Sequence, residues 1–185
     1  MEEVYSEFEV FEQKIKVDKT ENFRNVDCIS SCKVTKTLKK RIKKCRGVEV
    51  KSKPRVIGVA IEMSVHMPRD IYNDINGLNS SLLKDKVNGT GLRNEFKTFA
   101  ITQEVLNEDD ISMFKAYPKC ILDEAVEENI DNTADEVTEI TCKIKAYPDE
   151  NGFFEYQALK TDLDEQSQKD WMTKFTPSMA ILSEA

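Results

Sequence analysis

From Ile57 to Met67 the odd positions read Ile, Val, Ile, Met, Val, Met, and the even positions read Gly, Ala, Glu, Ser, His. Strict alternation of this kind predicts a long strand with one face in a core and the other wetter. Pro68 cannot donate a ladder hydrogen bond and ends it. Ile71, Tyr72, Ile75 and Leu78 then recur at helical spacing. They predict a short helix over residues 70–78, with Asp70 as its cap and Gly77 as its stop. Val56–Leu78, a strand running into a helix, is the segment around which the chain is organised.

The same alternation recurs on both sides. Val10, Ile15 and Val17 give an imperfect first strand at the end of an acidic arm, residues 1–24. Between 25 and 55, Val34, Leu38 and Ile42 suit one face of a strand or a helix. Arg46-Gly47 marks a turn, and VEVKSKPRV alternates again, so a hairpin or long loop is favoured over a helix. Residues 79–92 are turn-rich. Phe96–Asn107 and Ile111–Leu122 read as strands joined by the polar turn Asn107-Glu108-Asp109-Asp110, with Phe99, Ile101 and Val105 buried. An acidic loop, 123–136, leads into Glu136–Tyr147, where Ile140, Cys142, Ile144 and Ala146 share a face. Asp149-Glu150-Asn151-Gly152 predicts a hairpin turn with Phe153–Leu159 as the return strand. The tetrapeptide KAYP occurs at 115–118 and 145–148, each time placed to close a strand. Residues 160–185 are polar, with Trp171 and Phe175 as anchors of one short helix or a docking tail. The expectation is a mainly-β fold: a β-sandwich or barrel of about seven strands with a flanking short helix and extended arms or loops. One domain is expected over 1–185, comprising an N-terminal arm and first strand at 1–24, a β core at 25–160 and a C-terminal arm at 161–185.

Composition sharpens this picture. The 185 residues are 39% hydrophobic and 33% charged, and no apolar run approaches the ~18–20 residues of a membrane helix. The N-terminus MEEVYSEFEV is too acidic for a secretory signal, so synthesis and assembly in a cytoplasm are expected. Five cysteines, an odd number, suit a reducing compartment. Net charge is −7 but unevenly placed: Lys33 to Arg55 holds eleven basic residues against Glu49, while Asp123 to Glu139 holds eight acids and no base. Such a chain is unlike an ordinary nucleic-acid binder, which is basic overall, and reads as a molecule with two complementary poles.

Chemistry is sparse. Cys28, Cys32 and Cys45 would need His66, the single histidine, or the distant Cys120 or Cys142 to complete a zinc site, so reduced, metal-free thiols are expected. Ser64 lies near His66 without an assembled triad, and no GxxxxGK[ST] or GxGxxG cradle is present. No catalytic residue and no cofactor is assigned.

Gly58–Leu78 (GVAIEMSVHMPRDIYNDINGL), Phe114–Cys120 (FKAYPKC) and Glu136–Tyr156 with its PDENGFFEY turn, in that order and followed by Trp171–Phe175, resemble the major tail proteins, or tail tube proteins, of long-tailed phages of low-GC Gram-positive bacteria. The resemblance covers roughly residues 55–175. It implies a β-sandwich with a flanking helix and rings of six subunits whose inner sheets join into a barrel lumen. It further implies stacking of the rings into a tube around the tape-measure protein, with tail terminator and distal tail proteins as partners. DNA would pass through without specific binding, and the protein would reside in the virion tail. No catalytic residues are implied. Head-to-tail contacts close a ring and a second, axial contact propagates it.

The two poles then have a use. Lys39, Lys40, Arg41, Lys43, Lys44 and Arg46 are expected to meet Asp123, Glu124, Glu127 and Glu128 of a neighbouring subunit. Two other classes stay open: a β-sandwich adaptor of a tail or baseplate that does not polymerise, and a hydrolase on a β scaffold, which would need convergent titratable groups.

Overall fold

The computed structural model describes residues 6–79, 81–92, 94–127, 130, 132–135 and 137–182. Over these residues the chain forms β1 (Glu7–Val17), β2 (Arg24–Asn25), β3 (Ile29–Cys45), β4 (Val48–Val65), α1 (Arg69–Ile75), β5 (Phe99–Asn107), β6 (Ser112–Leu122), β7 (Ile140–Ala146), β8 (Tyr156–Leu159) and α2 (Glu165–Lys174). The eight strands form one antiparallel sheet in the order β2-β1-β5-β6-β7-β4-β3, with β8 also on β6. The mainly-β expectation holds, with eight strands where about seven are expected and with α2 in the segment expected to hold one short helix or a docking tail.

The sheet curls. Ile15 and Val17 of β1 share one dry core with Val59, Ile61, Met63 and Val65 of β4, although three strands stand between them in the sheet. Bulges, two on the β1–β5 ladder and three on the β3–β4 ladder, supply the bend and extra twist. β1 and β3 thereby approach without pairing and leave a seam lined by Glu7, Val10, Cys32, Val34, Gln103 and Lys115. Inside it Gln103 Nε2 donates to Gln13 Oε1 at 2.6 Å and to Cys32 Sγ at 3.4 Å. The shape is an open barrel.

α1 plugs this core with Ile71 and Ile75. Asp70 is not its cap: Pro68 holds that position, and Asp70 instead accepts from Arg24 Nη1 at 2.8 Å, while Asp74 takes Nη2 at 2.7 Å. Gly77 ends the helix as predicted, at φ +62°, where an added Cβ would clash with the Glu95 carbonyl oxygen.

β5 and β6 are buried on both faces. Their outer face carries Phe114 and Ala116, covered by Tyr156 and by Trp171, Met172 and Phe175 of the C-terminal helical region. Trp171 lies 4.8 Å from Phe175 between ring centroids, and Asp164 caps α2 by accepting the Ser167 N–H at 2.9 Å. The polar tail thus supplies a helix docked on the sheet.

Three further readings need correction. Odd-position burial begins at Val59, because Ile57 is a bulge residue and is 50% exposed. The first KAYP does not close a strand: Pro118 lies inside β6. There β6 exchanges β8 (paired with Met113–Ala116) for β7 (paired with Cys120–Leu122), and the β5 ladder is bulged. A missing N–H is tolerated at such a junction. The segment after Gly152 does turn, but strand structure starts only at Tyr156 and pairs with β6, so β7 and β8 do not form a hairpin.

Candidate functional site: a projecting basic ribbon

β3 and β4 pair from end to end, but β7 pairs with β4 only over Val59–Val65. Beyond Lys36 and Gly58 the two strands continue as a bare ribbon, ten residues to the tip or about 35 Å at ~3.4 Å per residue. Arg46 (φ +50°) and Gly47 (φ +81°) close it in a turn with both central residues left-handed, which matches the twist of a two-stranded hairpin. The Arg46-Gly47 turn and the hairpin reading of residues 25–55 both hold.

The register sorts the ribbon's side chains by face. Lys39 is opposite Arg55, Arg41 opposite Lys53 and Lys43 opposite Lys51, three directly opposed cation pairs on one face. The Cβ atoms of opposed residues lie ~5 Å apart, and like charges placed directly opposite each other are destabilising. The other face carries Leu38 opposite Val56, Lys40 opposite Pro54 and Ile42 opposite Ser52, with Leu38, Ile42 and Val56 all exposed. Lys44 is opposite Glu49 near the tip. Among the described residues the ion pair at the root, Lys36 to Glu155 at 2.6 Å, is the outermost one seen on the ribbon. The ribbon thus exposes three opposed cation pairs on one face and Leu38, Ile42 and Val56, beside Lys40, on the other, held in its own chain by its ladder, its turn and its root. Lysines along the strands and Pro54 guard its edges against indiscriminate strand pairing, so recognition falls to the faces.

With ten basic residues against Glu49, the stretch 36–58 carries +9, so a chain of net −7 leaves −16 on the rest. The expected acidic partners lie on that body. Asp123 is 4.0 Å from Lys145 and Glu124 2.6 Å from Lys143, whose ammonium is held above its ordinary pKa chiefly by the Glu124 hydrogen bond. Glu127 forms a backbone bridge with Thr141, and Glu128 lies outside the described residues. Among the described residues no ion pair or hydrogen bond joins Asp123, Glu124 or Glu127 to the ribbon within one chain.

The root of the ribbon is tied into a polar cluster at the mouth of the barrel. Lys115, almost fully buried, pairs with Glu7 and lies 4.0 Å from Glu155, and Tyr117 Oη donates to Glu155 at 3.1 Å. Burial, then the Glu155 carboxylate, push the Tyr117 phenol far up. This arrangement fixes where β3 leaves the body.

The cysteines do not converge. Cys32 is at the seam and Cys45 at the ribbon tip, on the order of 40 Å along the strand, while Cys120 and Cys142 sit in the core. His66 is exposed, and Ser64 Oγ faces Thr141 Oγ1 at 3.3 Å. Among the described residues no helix is long and apolar enough to cross a membrane.

Sequence reasoning named the basic residues on β3 but missed Lys51, Lys53 and Arg55 as their cross-strand partners, and missed the apolar reverse face. The signal was present: folding the chain about Arg46-Gly47 opposes Cys45 to Val48, and a one-residue bulge then brings Lys43 to Lys51.

No family model and no curated protein matches the sequence. Among solved structures, a chain of the anti-feeding prophage baseplate, determined by cryo-EM with six-fold symmetrisation, is similar at TM-score 0.46 and 10% identity, over 84% of this chain and 97% of that one. A chain of the anti-feeding prophage cap, a tube-terminating cap, is similar at TM-score 0.44 and 9% identity, over 85% and 96%.

Proposed function

We propose that this protein is a structural component of a phage-type tail that polymerises with itself, as stacked six-membered rings, into the tail tube. The observation that carries the reading is the ribbon: a +9 projection with an exposed apolar face on a body of −16. A molecule built so attracts its own copies, each ribbon seeking an acidic surface on the next. The contact is heterologous, so it closes into rings where the rotation allows and propagates where it does not. The resemblance of Gly58–Leu78, Phe114–Cys120 and Glu136–Tyr156 to tail tube proteins supports the same reading. In that role the tube encloses the tape-measure protein, meets tail terminator and distal tail proteins at its ends, and conducts DNA. A body rich in acids offers few cations to replace the counterions condensed on DNA phosphates, so in this reading DNA slides past it without binding. The acids Asp123, Glu124, Glu127 and Glu128 remain one candidate acceptor for Lys39, Lys40, Arg41, Lys43, Lys44 and Arg46.

The test is negative-stain microscopy with sedimentation velocity on the concentrated full chain, beside a variant in which residues 38–56 are replaced by Asn-Gly. Rings or tubes from the full chain and a folded monomer from the short-hairpin variant are expected. Added salt should slow assembly, since the Debye length falls to about 3 Å at 1 M. A full chain that stays monomeric at high concentration, or a short-hairpin variant that assembles unchanged, overturns the reading in favour of a non-polymerising tail or baseplate adaptor.

A further inference from the structure

We infer that the ribbon of one copy docks on an acidic and aromatic corner of the next copy formed by the start of β1 and the β5–β6 turn. The inference rests on the self-assembly reading and names its acceptor.

The corner begins with two exposed phenylalanines. β1 slips register against β5 between Glu7 and Glu9 and again between Val10 and Glu12, and the extra residues are Phe8 and Phe11. Bulging turns both rings out of the ladder, leaving them 79% and 63% exposed at the rim of a barrel whose core is dry. Around Phe8 stand Glu9, paired in register with Leu106, and the turn residues Glu108, Asp109 and Asp110, all exposed. The turn is held rather than loose. Asn107 Oδ1 accepts the N–H groups of Asp109 at 2.9 Å and Ile111 at 2.8 Å, and Ser6 Oγ donates to Glu108 at 3.3 Å. Glu7 is taken by the buried Lys115 and belongs to the body.

Corner and ribbon are complements in both chemistries. The ribbon offers Lys and Arg on one face and Leu38, Ile42 and Val56 on the other, and the corner offers four acids and two aromatic rings. The Asp123 and Glu124 pole is a poorer match, because Lys145 and Lys143 stand against it in the same chain. Duplex DNA would satisfy the cationic face alone, leave the apolar face in water, and bring phosphates against the −16 body.

The ribbon's root and the corner are linked within one chain by Lys36–Glu155, Glu155–Lys115 and Lys115–Glu7. A ribbon that meets the corner of another copy joins two different surfaces, so the contact is heterologous, the kind that closes rings or propagates.

The experiment reverses each side separately. One variant carries K39E, R41E, K43E, K51E, K53E and R55E, the other E9K, E108K, D109K and D110K, and circular dichroism checks that both fold. Each alone repels its own kind, and its critical concentration for assembly should rise about tenfold or more. Mixed one to one, each reversed ribbon meets a reversed corner and each native ribbon a native corner, so assembly returns as alternating rings. F8S with F11S should weaken assembly without changing its salt dependence. If wild type assembles but the corner variant assembles equally well, or the mixture fails to recover, the docking is wrong while self-assembly stands. If reversing Asp123, Glu124 and Glu127 is instead what abolishes assembly, that pole is the acceptor. Capture of a 20-base-pair duplex by the ribbon at physiological salt, with assembly indifferent to the corner, also overturns the inference.

Discussion

Strand β4 runs through two environments built from the same residue types. Between Val59 and Val65 its odd side chains are buried, with β7 on one side, β3 on the other and β1 and α1 across the core. Between Val48 and Ile57 it carries Val48, Val50, Val56 and Ile57, yet all four are exposed, because β3 is the sole neighbour. Apolar residues in the first stretch hold the monomer together. In the second they contribute almost nothing to it, and a two-stranded ribbon keeps its shape by its turn, its ladder and its rooted end. The contrast separates folding from assembly: the body can be damaged without touching the ribbon, and the ribbon altered without touching the fold.

Thiol chemistry reads that contrast most directly. Cys45 at the ribbon tip and Cys28 are exposed, whereas Cys120 and Cys142 are buried. Burial pushes the Cys120 thiol well up and the Cys142 thiol up to about 11. Exposing either core thiol requires opening the barrel, so under native conditions they should react about a thousandfold or more slowly than Cys45. Maleimide labelling followed by mass spectrometry checks this. Equal rates at Cys45 and Cys142 would break the distinction between body and ribbon.

Truncation gives the next largest effect. Ile61→Ala, at a fully buried position, should lower stability by about 2–5 kcal/mol, with Val59→Ala and Val65→Ala in the lower part of that range. Ile57→Ala, four residues away on the same strand, should stay within ~0.5 kcal/mol. Urea denaturation under non-assembling conditions measures both. A large loss at Ile57 would mean that the ribbon is packed against something in the monomer.

What could be read from the sequence follows the same division. Alternation located β4, β5, β6 and β7 because one face of each meets the core, and Val59, Ile61, Met63 and Val65 were legible for that reason. The limit of burial was not, since Ile57 continues the pattern and only the bulge at that position and the end of β7 take it out of the core. Buried polar residues were equally hidden. Gln103, Glu104 and Lys115 occupy strands covered on both faces, and their partners Gln13, Ser112, Lys160 and Glu7 come from elsewhere in the chain, while the buried Thr102 Oγ1 has no hydrogen-bond partner among the described residues. The candidate site was half legible: its charge was plain in the Lys39–Arg46 run, whereas its two faces needed the cross-strand register.

The smallest effect compares two turns. The ribbon's turn at Arg46-Gly47 is solvated, and backbone conformation alone sets it. The body's turn at Asp149–Phe153 is tied by a carboxylate. Asp149 Oδ1 accepts the N–H groups of Asn151 at 2.9 Å and Phe153 at 3.0 Å, and Oδ2 accepts the Tyr156 hydroxyl at 2.6 Å. Burial pulls the Asp149 carboxyl upward, but these hydrogen bonds outweigh it and hold the group below its ordinary 3.8. Burial and the bond to Asp149 raise the Tyr156 phenol from 10.0 to about 12. The signs are opposite. A depressed carboxyl contributes stability that is complete above its ordinary pKa and is lost as pH falls through the lower folded value. A raised phenol contributes stability that is complete below pH 10 and is lost as pH climbs from 10 to about 12. Tyr156→Phe removes the shared hydrogen bond and keeps the ring against Phe175, 5.6 Å away. It should lower stability at neutral pH by about 1 kcal/mol and flatten the pH dependence at both ends. Ile57→Ala on the ribbon should leave both ends unchanged. Denaturation profiles taken from pH 2 to 12 on wild type and the two variants test this, and a Tyr156→Phe profile superimposable on wild type would remove the Tyr156–Asp149 hydrogen bond as a source of the turn's stability.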